Sequence, residues 1–599
     1  MEAKNKQERA EILFSKTPIK KAIWIVTIPA LLTAFMVGLY GFVDQVMIQH
    51  FVPRTTHLFG ENGIIYDFLE SGTTKINSIK YKELVILYNK SAAELPNKVM
   101  LQELTSNSIV AVSTVASQPL LIFSNSIVFL TPVGTSIYYT KCISKKMEFT
   151  GKNIWATSFW ISVSLSLLST VFMFIFSFSG LQKQLVGRTV LDTEVLEKIK
   201  TQFDEKTYRE ALLLQDYYDA GSKISLKFAR QYILIFGAGT VLQGLVSLLS
   251  FFIRAEGHNT YIMFWGITAN LINIGMDYIL ISIAKLGVLG GAIATVIGWT
   301  INVGAFVIYI VYMDRRKKTW MTFKNLFKFN FDKNILLPSF SLGVSGFLRS
   351  FGVAVSFAVL SLLYTKTSFS NPQFQVYWSK SSPILTLFLI SIFGISDGAR
   401  SLFSYNYTQK DFQRCKEVYY WTFGVAIIYG ALVWIGVSAT SYHFWTFALN
   451  ASEESRAEVA KFISILMVRI FTVAFTICSL MVFQAANDSA KSILASVTEN
   501  YIGLATIIPI GALVAYIVYY NTGNKNAACW VITAFFILNS LVSSLFLLGV
   551  SINYVFKKIP KMDECTKLSW SKRLEKKFFD NAEILEKEWL EKMKKINAV

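Results

Sequence analysis

Two aspartates draw notice through their surroundings. Asp44 lies inside the apolar run IPALLTAFMVGLYGFVDQVMI (Ile28–Ile48), and Asp277 is followed at once by the apolar Tyr278–Ala284. An ionisable side chain at mid-bilayer costs ~2.5–3.5 kcal/mol on insertion scales, so one kept there is a candidate for function. Asn273 lies one helical turn before Asp277, and Tyr40 one turn before Asp44; the i, i+4 spacing puts each pair on one face. Thr295 lies in the next apolar run. At 1.5 Å of rise per residue, Asp44, Asp277 and Thr295 reach similar depths in the outer half of a membrane. Two carboxylates in an apolar cavity cannot both stay ionised cheaply. Such a cluster can take up a proton, or hold Na⁺ through its carboxylate, amide and hydroxyl oxygens. A plainer reading places both aspartates at the membrane interface as helix caps.

The second half of the chain reads differently. The positions that repeat Asp44 and Asp277 are Val353 and Ile507, and bases take the place of acids: Arg349, Lys380 and Arg469. Facing a central cavity, they would attract an anionic group of a substrate or serve as counter-charges. The alternative is that they snorkel or pair with backbone carbonyls. That alternative suits Lys380 and Arg469, which fall nearer the outer surface, better than Arg349, which falls deepest.

Chemistry of other kinds has little material. His50, His57, His258 and His443 lie in loops or at span ends with no HxxxH pair, and Gly287–Gly291 lacks the lysine of a phosphate loop,. Cys142, Cys415, Cys478, Cys529 and Cys565 are scattered without a CxxC pair, so neither a disulfide framework nor a zinc site is expected. The expectation is no enzyme, no metal and no cofactor beyond a coupling ion.

The elements that must position these residues are membrane helices. Of the 599 residues 53% are hydrophobic and 16% charged, against ~25% charged in soluble domains. Runs of ~20 apolar residues cross ~30 Å of hydrocarbon as helix. Twelve spans are expected near 20–49, 107–139, 153–179, 225–253, 260–284, 287–312, 334–364, 374–404, 417–440, 459–485, 491–519 and 528–556. The net charge of +19 is placed for a membrane and not for nucleic acid. Lys141, Lys145 and Lys146, Arg315 to Lys318, and Lys410, Arg414 and Lys416 all follow even-numbered spans. The positive-inside rule then puts both termini in the cytoplasm of a multi-pass cell-membrane protein. Abundant Lys, Asn, Ile and Phe suit an AT-rich bacterial genome.

Internal repeats set the architecture. Pro119/Pro383, Gly134/Gly398 and Lys146/Lys410 recur at one offset; Ala255/Ala485, Thr268/Thr498 and Asn270/Asn500 recur at a shorter one, and Pro29/Pro338 at a longer one. One duplicated six-helix unit with two insertions in its first copy accounts for all three offsets. The expected fold is an all-α integral membrane protein, its twelve transmembrane helices forming two parallel six-helix repeats. The organisation is a cytoplasmic N-terminus (1–17), a first lobe (18–313) with outer-loop inserts 51–106 and 181–223, a linker (314–333), a second lobe (334–556) and a tail (557–599). The first insert mixes turn and strand signals, and the second contains the helix-like stretch LDTEVLEKIKTQFDEKTYREALLLQ. The inserts could meet an extracellular partner. The tail repeats Leu574, Phe578, Leu585, Trp589, Met593 and Ile596 at helical spacing, which suits an amphipathic helix lying either on the inner membrane surface or on the protein's own loops.

Several blocks carry a resemblance to a known family. Besides Ile28–Ile48, these are IRAEGHNT (Ile253–Thr260), NLINIGMDYILI with LGVLGGAIAT (Asn270–Thr295), and GISDGARSLFSYNYTQKDFQRCKE (Gly394–Glu417). Together they resemble the multidrug and toxic compound extrusion (MATE) transporters, DinF-like branch, of the MOP flippase superfamily. The resemblance implies two lobes forming a V and antiport of small organic molecules against H⁺ or Na⁺. It implies that Asp44, Asn273, Asp277 and Thr295 form the cation-coupling cluster, that Pro29 is a bending point of the first helix, and that Tyr40 is a cavity tyrosine. Departures are the absence of an acid in the seventh span, Thr408 in place of the usual glycine after Asn406-Tyr407, the charged Asp397 and Arg400, and the two inserts. A lipid or lipid-linked-glycan flippase of the same superfamily is the alternative, motivated by Arg349, Lys380 and Arg469.

Overall fold

A chain immersed in lipid has no water to satisfy its amides, so its spanning segments must close their hydrogen bonds internally. The structure, a computed structural model, describes residues 16–95, 98, 100–256, 258–327, 332–560 and 570–597; among them there are helices and connecting loops but no strand. Cys565 and most of the N-terminal segment 1–17 lie outside the described residues.

Eleven helices are long and apolar enough to cross a bilayer, and a twelfth crossing is made by two helices bent by 48° to each other (Glu205–Ala238 and Thr240–Ala255). The first six spans are Ile19–Thr55, Ser106–Ile143, Glu148–Ser177, this bent pair, Asn259–Ile283 and Val288–Arg315. The last six are Leu336–Lys366, Pro372–Tyr407, Phe412–Ala448, Arg456–Ala485, Ser489–Thr522 and Lys525–Lys558. Polar residues in the links start them. Thr105 forms a capping box with Ser108, and the side chains of Asn371, Asp411, Asp488 and Asn524 each accept an amide of the helix they precede; such caps satisfy amides that the helix itself leaves open.

Two of the recurring residue pairs have a structural explanation. Lys146 and Lys410 both end their helices in the left-handed region, at φ 59° and 60°. A β-carbon on Gly134 would collide with the carbonyl of Ser339 in the seventh span, and one on Gly398 would collide with the carbonyl of Val26 in the first. Each glycine thus seats the second helix of one half against the first helix of the other. Gly343 closes the same seam from the seventh-span side against Leu130, and Gly394 lies against Ala30. Small residues of this kind let membrane helices approach through their backbones, where apolar lipid offers no hydrophobic drive.

The two inserts pack on each other as a cap over one end of the first lobe. The expectation of mixed turns and strands in 51–106 is corrected: it folds as helix Ser78–Ala93 with a short 3-10 turn and loops. The second insert supplies helix Thr193–Gln202 and the first turns of the fourth span, which begins at Glu205 because the charged stretch continues unbroken into the apolar one. Tyr81, Tyr88, Tyr217 and Tyr218 form the buried centre of the cap. The hydroxyl of Tyr217 accepts the Ile76 amide at 2.8 Å, and that of Tyr88 accepts the Asp192 amide at 2.7 Å. Lys98 joins the inserts through Asp192 at 2.8 Å.

At the opposite end, which carries the basic links, the tail forms helix Trp570–Asn597. Of the two readings left open for it, packing on the protein is the one observed. Phe578 and Ala582 are fully buried, Phe578 lies 4.4 Å from the ring of Tyr138, and Trp589 stacks on Phe149. Glu586 accepts the backbone amides of Phe149 and Thr150 at 3.1 and 3.2 Å, at the start of the third span. Glu575 accepts from Lys141 of the first half, from Asn487 of the second at 2.7 Å, and from Lys572 of its own helix at 2.8 Å. The helix is therefore a strut between the halves. Burial alone would raise the carboxyl pKa of Glu575, but Lys141 and Lys572 outweigh it and hold it at about 2 against an ordinary 4.5. A carboxylate depressed in this way contributes stability above its unfolded pKa and loses it as pH falls through the folded value. The strut should accordingly stay docked from neutral pH down to about 4.5 and loosen only below. Replacing Glu575 with Ala should cost ~3 kcal/mol, the order found for breaking a buried ion pair. Faster proteolysis between 559 and 570 and a lower melting temperature in detergent would report it; unchanged cleavage would show that the helix is held by its apolar face alone.

Candidate functional site

Three helices of the first half bring the sequence-selected polar residues together. Asp44 (2% exposed) lies on the first span, Asn273 (1%) and Asp277 (0%) on the fifth, and Thr295 (2%) on the sixth. Asp277 is the last residue of the α-helical part of its span; a π-turn, Tyr278–Ile283, follows. Such widened turns recur at functional sites. The glycine edge of the sixth span makes room: a β-carbon on Gly291 would collide with Asp44 Oδ1, and one on Gly298 would come within 3.1 Å of Asn273 Cβ. The Gly-rich stretch Gly287–Gly291, unsuited to a phosphate, serves here as a close-packing surface. Asp277 stands near enough to Asp44 to repel it electrostatically, and half-buried Tyr40 is within the same reach of both. The reading of Asp44 and Asp277 as interfacial caps does not describe them, because both are buried between helices.

The hydrogen bonds of this cluster are incomplete. Asp44 Oδ2 accepts from the hydroxyl of Tyr232 at 2.5 Å. Asp44 Oδ1, both carboxylate oxygens of Asp277, both polar atoms of Asn273, Asn270 Nδ2 and Thr295 Oγ1 are buried without a partner. Each such atom ordinarily costs ~1–3 kcal/mol, so their gathering in one place makes the cluster the candidate binding site of the first half. Among the described residues no three His, Cys, Asp or Glu side chains converge. Oxygen ligands for a cation would therefore have to include the amide of Asn273 and the hydroxyl of Thr295, a donor set for a hard cation.

Pro29 lies within the first span, which runs as one helix from Ile19 to Thr55. That helix is laid along the eighth span of the other half and fastened near both ends. Arg414 donates to the Thr17 carbonyl at 2.8 Å at the basic end; Lys380 donates to Gln49 Oε1 at 2.7 Å at the cap end. The same helix thus carries Asp44 and much of the contact between halves.

The bases of the second half depart from expectation. Lys380 is 4% exposed and Arg469 2%, so neither snorkels. Lys380 is enclosed at the seam between halves, against Gln49 of the first span, and Arg469, near the middle of the tenth span, is enclosed within its own lobe against Glu499. Nor is the second half without an acid: Glu499, in the π-turn Thr498–Gly503, accepts from Arg469 Nε and Nη2 at 3.1 and 2.9 Å. Arg469 Nη1 has no partner. Arg349 is half-buried with its guanidinium 4.1 Å over the ring of Phe393, and its Nε and Nη1 likewise lack partners. Both arginines line one small enclosed cavity of about 20 Å³ with Phe393, Glu499 and Asn500. Lys380, at the seam between halves, is apart from it. Sequence reasoning missed Tyr232 and Glu499. Tyr232 belongs to the stripe Phe228, Tyr232, Phe236, whose helical spacing gives it away as a core face; Glu499 sits between Thr498 and Asn500, two residues that the repeat had already singled out.

Comparison with known proteins agrees with the fold. Residues 379–517 match the family model MatE. An "Uncharacterized protein MG447 homolog" of Mycoplasmoides gallisepticum is 24% identical over 515 residues, covering 84% of each chain. The solved outward-facing structure of a multidrug resistance MATE family transporter of the MOP superfamily superposes with TM-score 0.61 at 14% identity, covering 91% of this chain and 97% of that one. A MOP superfamily transporter from Pyrococcus furiosus, described as having a binding pocket of reverse polarity that suggests a different function, superposes with TM-score 0.61, also at 14% identity and with the same coverage.

Close packing at Asp44 can be tested directly. Gly291→Ala forces the carboxylate or the sixth span to move and should cost ~1–3 kcal/mol, as overpacking does. Gly41→Ala, on the first span with nothing within 4 Å of the added carbon, should be neutral or slightly stabilising. Thermal unfolding of both variants in detergent checks the contrast, and equal melting temperatures would contradict the geometry.

Proposed function

We propose that this MATE-type transporter is a cation-coupled antiporter. In this reading H⁺ or Na⁺ binds at Asp44, Asn273, Asp277 and Thr295 and drives export of organic, amphipathic molecules, xenobiotics among them, by alternating access between the lobes. The chain would sit in the cell membrane with both termini cytoplasmic. The observation that carries the reading is the group of buried, unpartnered oxygens shared by the first, fifth and sixth spans. A proton on one carboxylate, or Na⁺ among the oxygens, relieves the repulsion between Asp44 and Asp277 and supplies the missing partners. Binding can move the equilibrium between two shapes only by its difference in affinity for them. The first span is the element able to convert that difference into motion, since displacement at Asp44 is displacement of the helix that Lys380 and Arg414 tie to the second lobe.

A second reading, translocation of a lipid or a lipid-linked glycan, is favoured by Arg349 and Arg469. The reversed pocket polarity described for the Pyrococcus furiosus transporter of the same fold supports it by likeness.

Proteoliposomes under separately imposed pH and sodium gradients test the choice. Asp277→Asn should reduce gradient-driven dye efflux to the level seen without a gradient, a fall of at least tenfold, while the protein still purifies as a folded monodisperse species. Efflux that survives the substitution would defeat the coupling role. Lipid translocation that needs no gradient would favour the second reading.

A further inference from the structure

The enclosed cavity of the second lobe presents donors with nothing to donate to. Arg469, at 2% exposure, spends Nε and Nη2 on Glu499 and leaves Nη1 without an acceptor. Its Nη2 also reaches Asn500 Oδ1 at 3.4 Å, but that oxygen is already engaged by Ser356 at 3.0 Å. Arg349, stacked on Phe393, contributes two further nitrogens, Nε and Nη1, without acceptors. The nearby carboxylate of Asp397 is taken by Arg400 at 2.6 Å. Two guanidinium groups therefore line one cavity against a single carboxylate. A buried charge left uncompensated is among the costliest features a fold can keep, and here the missing element is an anion.

Size and wall chemistry narrow the choice. About 20 Å³ is little more than the ~10–15 Å³ that one water needs, so a whole organic molecule is excluded and the end of one is admitted. Guanidinium groups match the planar, two-oxygen acceptors of carboxylate and phosphate. Val353, Leu389, Val473 and Ala495 add apolar surface to the lining, and Thr476 and Ser496 add hydroxyls. Arg349 keeps partial exposure while Arg469 is buried, which places Arg349 at the rim and Arg469 at the base.

We propose that this cavity is an oxyanion site, which receives the carboxylate or phosphate end of an amphipathic ligand between Arg349 and Arg469. The proposal deepens the transporter reading by naming the substrate class, and it rests on that reading for the claim that the ligand is carried. Binding itself can be measured without transport. The first lobe would then take the cation and the second the anionic end of the solute.

The test uses the full chain in a neutral detergent, with saturable binding followed by calorimetry for inorganic phosphate, laurate and chloride, and in nanodiscs of phosphatidylcholine with or without phosphatidylglycerol. Laurate or phosphate should bind, and Arg349→Gln, at the half-exposed rim, should weaken binding at least tenfold with an unchanged melting temperature. The double substitution Arg469→Gln/Glu499→Gln, which removes the buried charges together, should do the same while preserving the fold. Binding of phosphatidylglycerol alone, with the same dependence on Arg349, would identify a lipid headgroup as the source of the oxyanion and uphold the proposal. Binding of chloride alone, an affinity indifferent to Arg349, or no saturable binding of any probe would overturn it. Gradient-driven efflux without oxyanion binding sinks this inference and spares the antiporter; oxyanion binding without gradient-driven efflux does the reverse.

Discussion

A carboxylate taken out of water must find a partner or a proton, since its desolvation otherwise costs several kcal/mol. The first lobe imposes that demand twice within one cluster. Asp44 has a single hydroxyl donor in Tyr232, and Asp277 is buried with neither oxygen engaged. Two buried ions elsewhere have a charged partner inside the protein, in part or in full. Arg469 has Glu499, and Glu575 has Lys141 and Lys572. Asp44 and Asp277 have no such charged partner among the described residues. The glycine edge of the sixth span and the π-turn after Asp277 read as the local means of fitting two carboxylates and two amides between helices that would otherwise pack apolar side chains.

What happens at Asp44 bears on the whole molecule because of where its helix lies. Gly38 of the first span rests on the Leu387 backbone, and Gly394 and Gly398 of the eighth rest on the backbone of Ala30 and Val26. With backbone against backbone there is no side chain to absorb a shift, and close-packed interfaces have discrete arrangements instead of continuous ones. A small movement of the first span is therefore passed to the second lobe. The tail helix at the basic end and the contact of Lys380 with Gln49 at the cap end bound that movement from both sides of the membrane.

Much of this was legible in the sequence. Span number and order follow from apolar length, which lipid enforces strictly, and Asp44, Asp277, Asn273 and Thr295 follow from the cost of polar groups in apolar runs. The duplicated lobes follow from Pro29/Pro338, Gly134/Gly398 and Lys146/Lys410, of which the structure explains the glycines as interface positions and the lysines as turn positions. What stayed hidden depended on contacts between distant segments. Tyr232 looks like any aromatic on a core face until Asp44 is placed beside it. Depth counting put Lys380 and Arg469 near the outer surface, but depth along a helix does not tell whether that part of the helix is covered by neighbours, and here it is. Amphipathic spacing in the tail had two acceptable apolar surfaces, bilayer or protein, and only Tyr138 and Phe149 waiting at the basic end decide between them.

The two halves have kept their mutual contact and lost their chemical likeness. Gly134 and Gly398 do the same work in opposite lobes, each forming one face of the seam, while Lys146 and Lys410 end the corresponding helices in the same left-handed turn. That likeness does not extend to the interior of each lobe. Asp44 and Asp277 give way to Val353 and Ile507 in the second copy, while Arg349 and Arg469 have entered with Glu499 as partial counter-charge. The two lobes therefore hold clusters of opposite charge, Asp44 and Asp277 in the one and Arg349 and Arg469 in the other, on either side of one shared seam. The first and eighth spans, packed backbone to backbone, carry Asp44 on the one and Phe393, beneath Arg349, on the other, so the two clusters are joined through helices in direct contact.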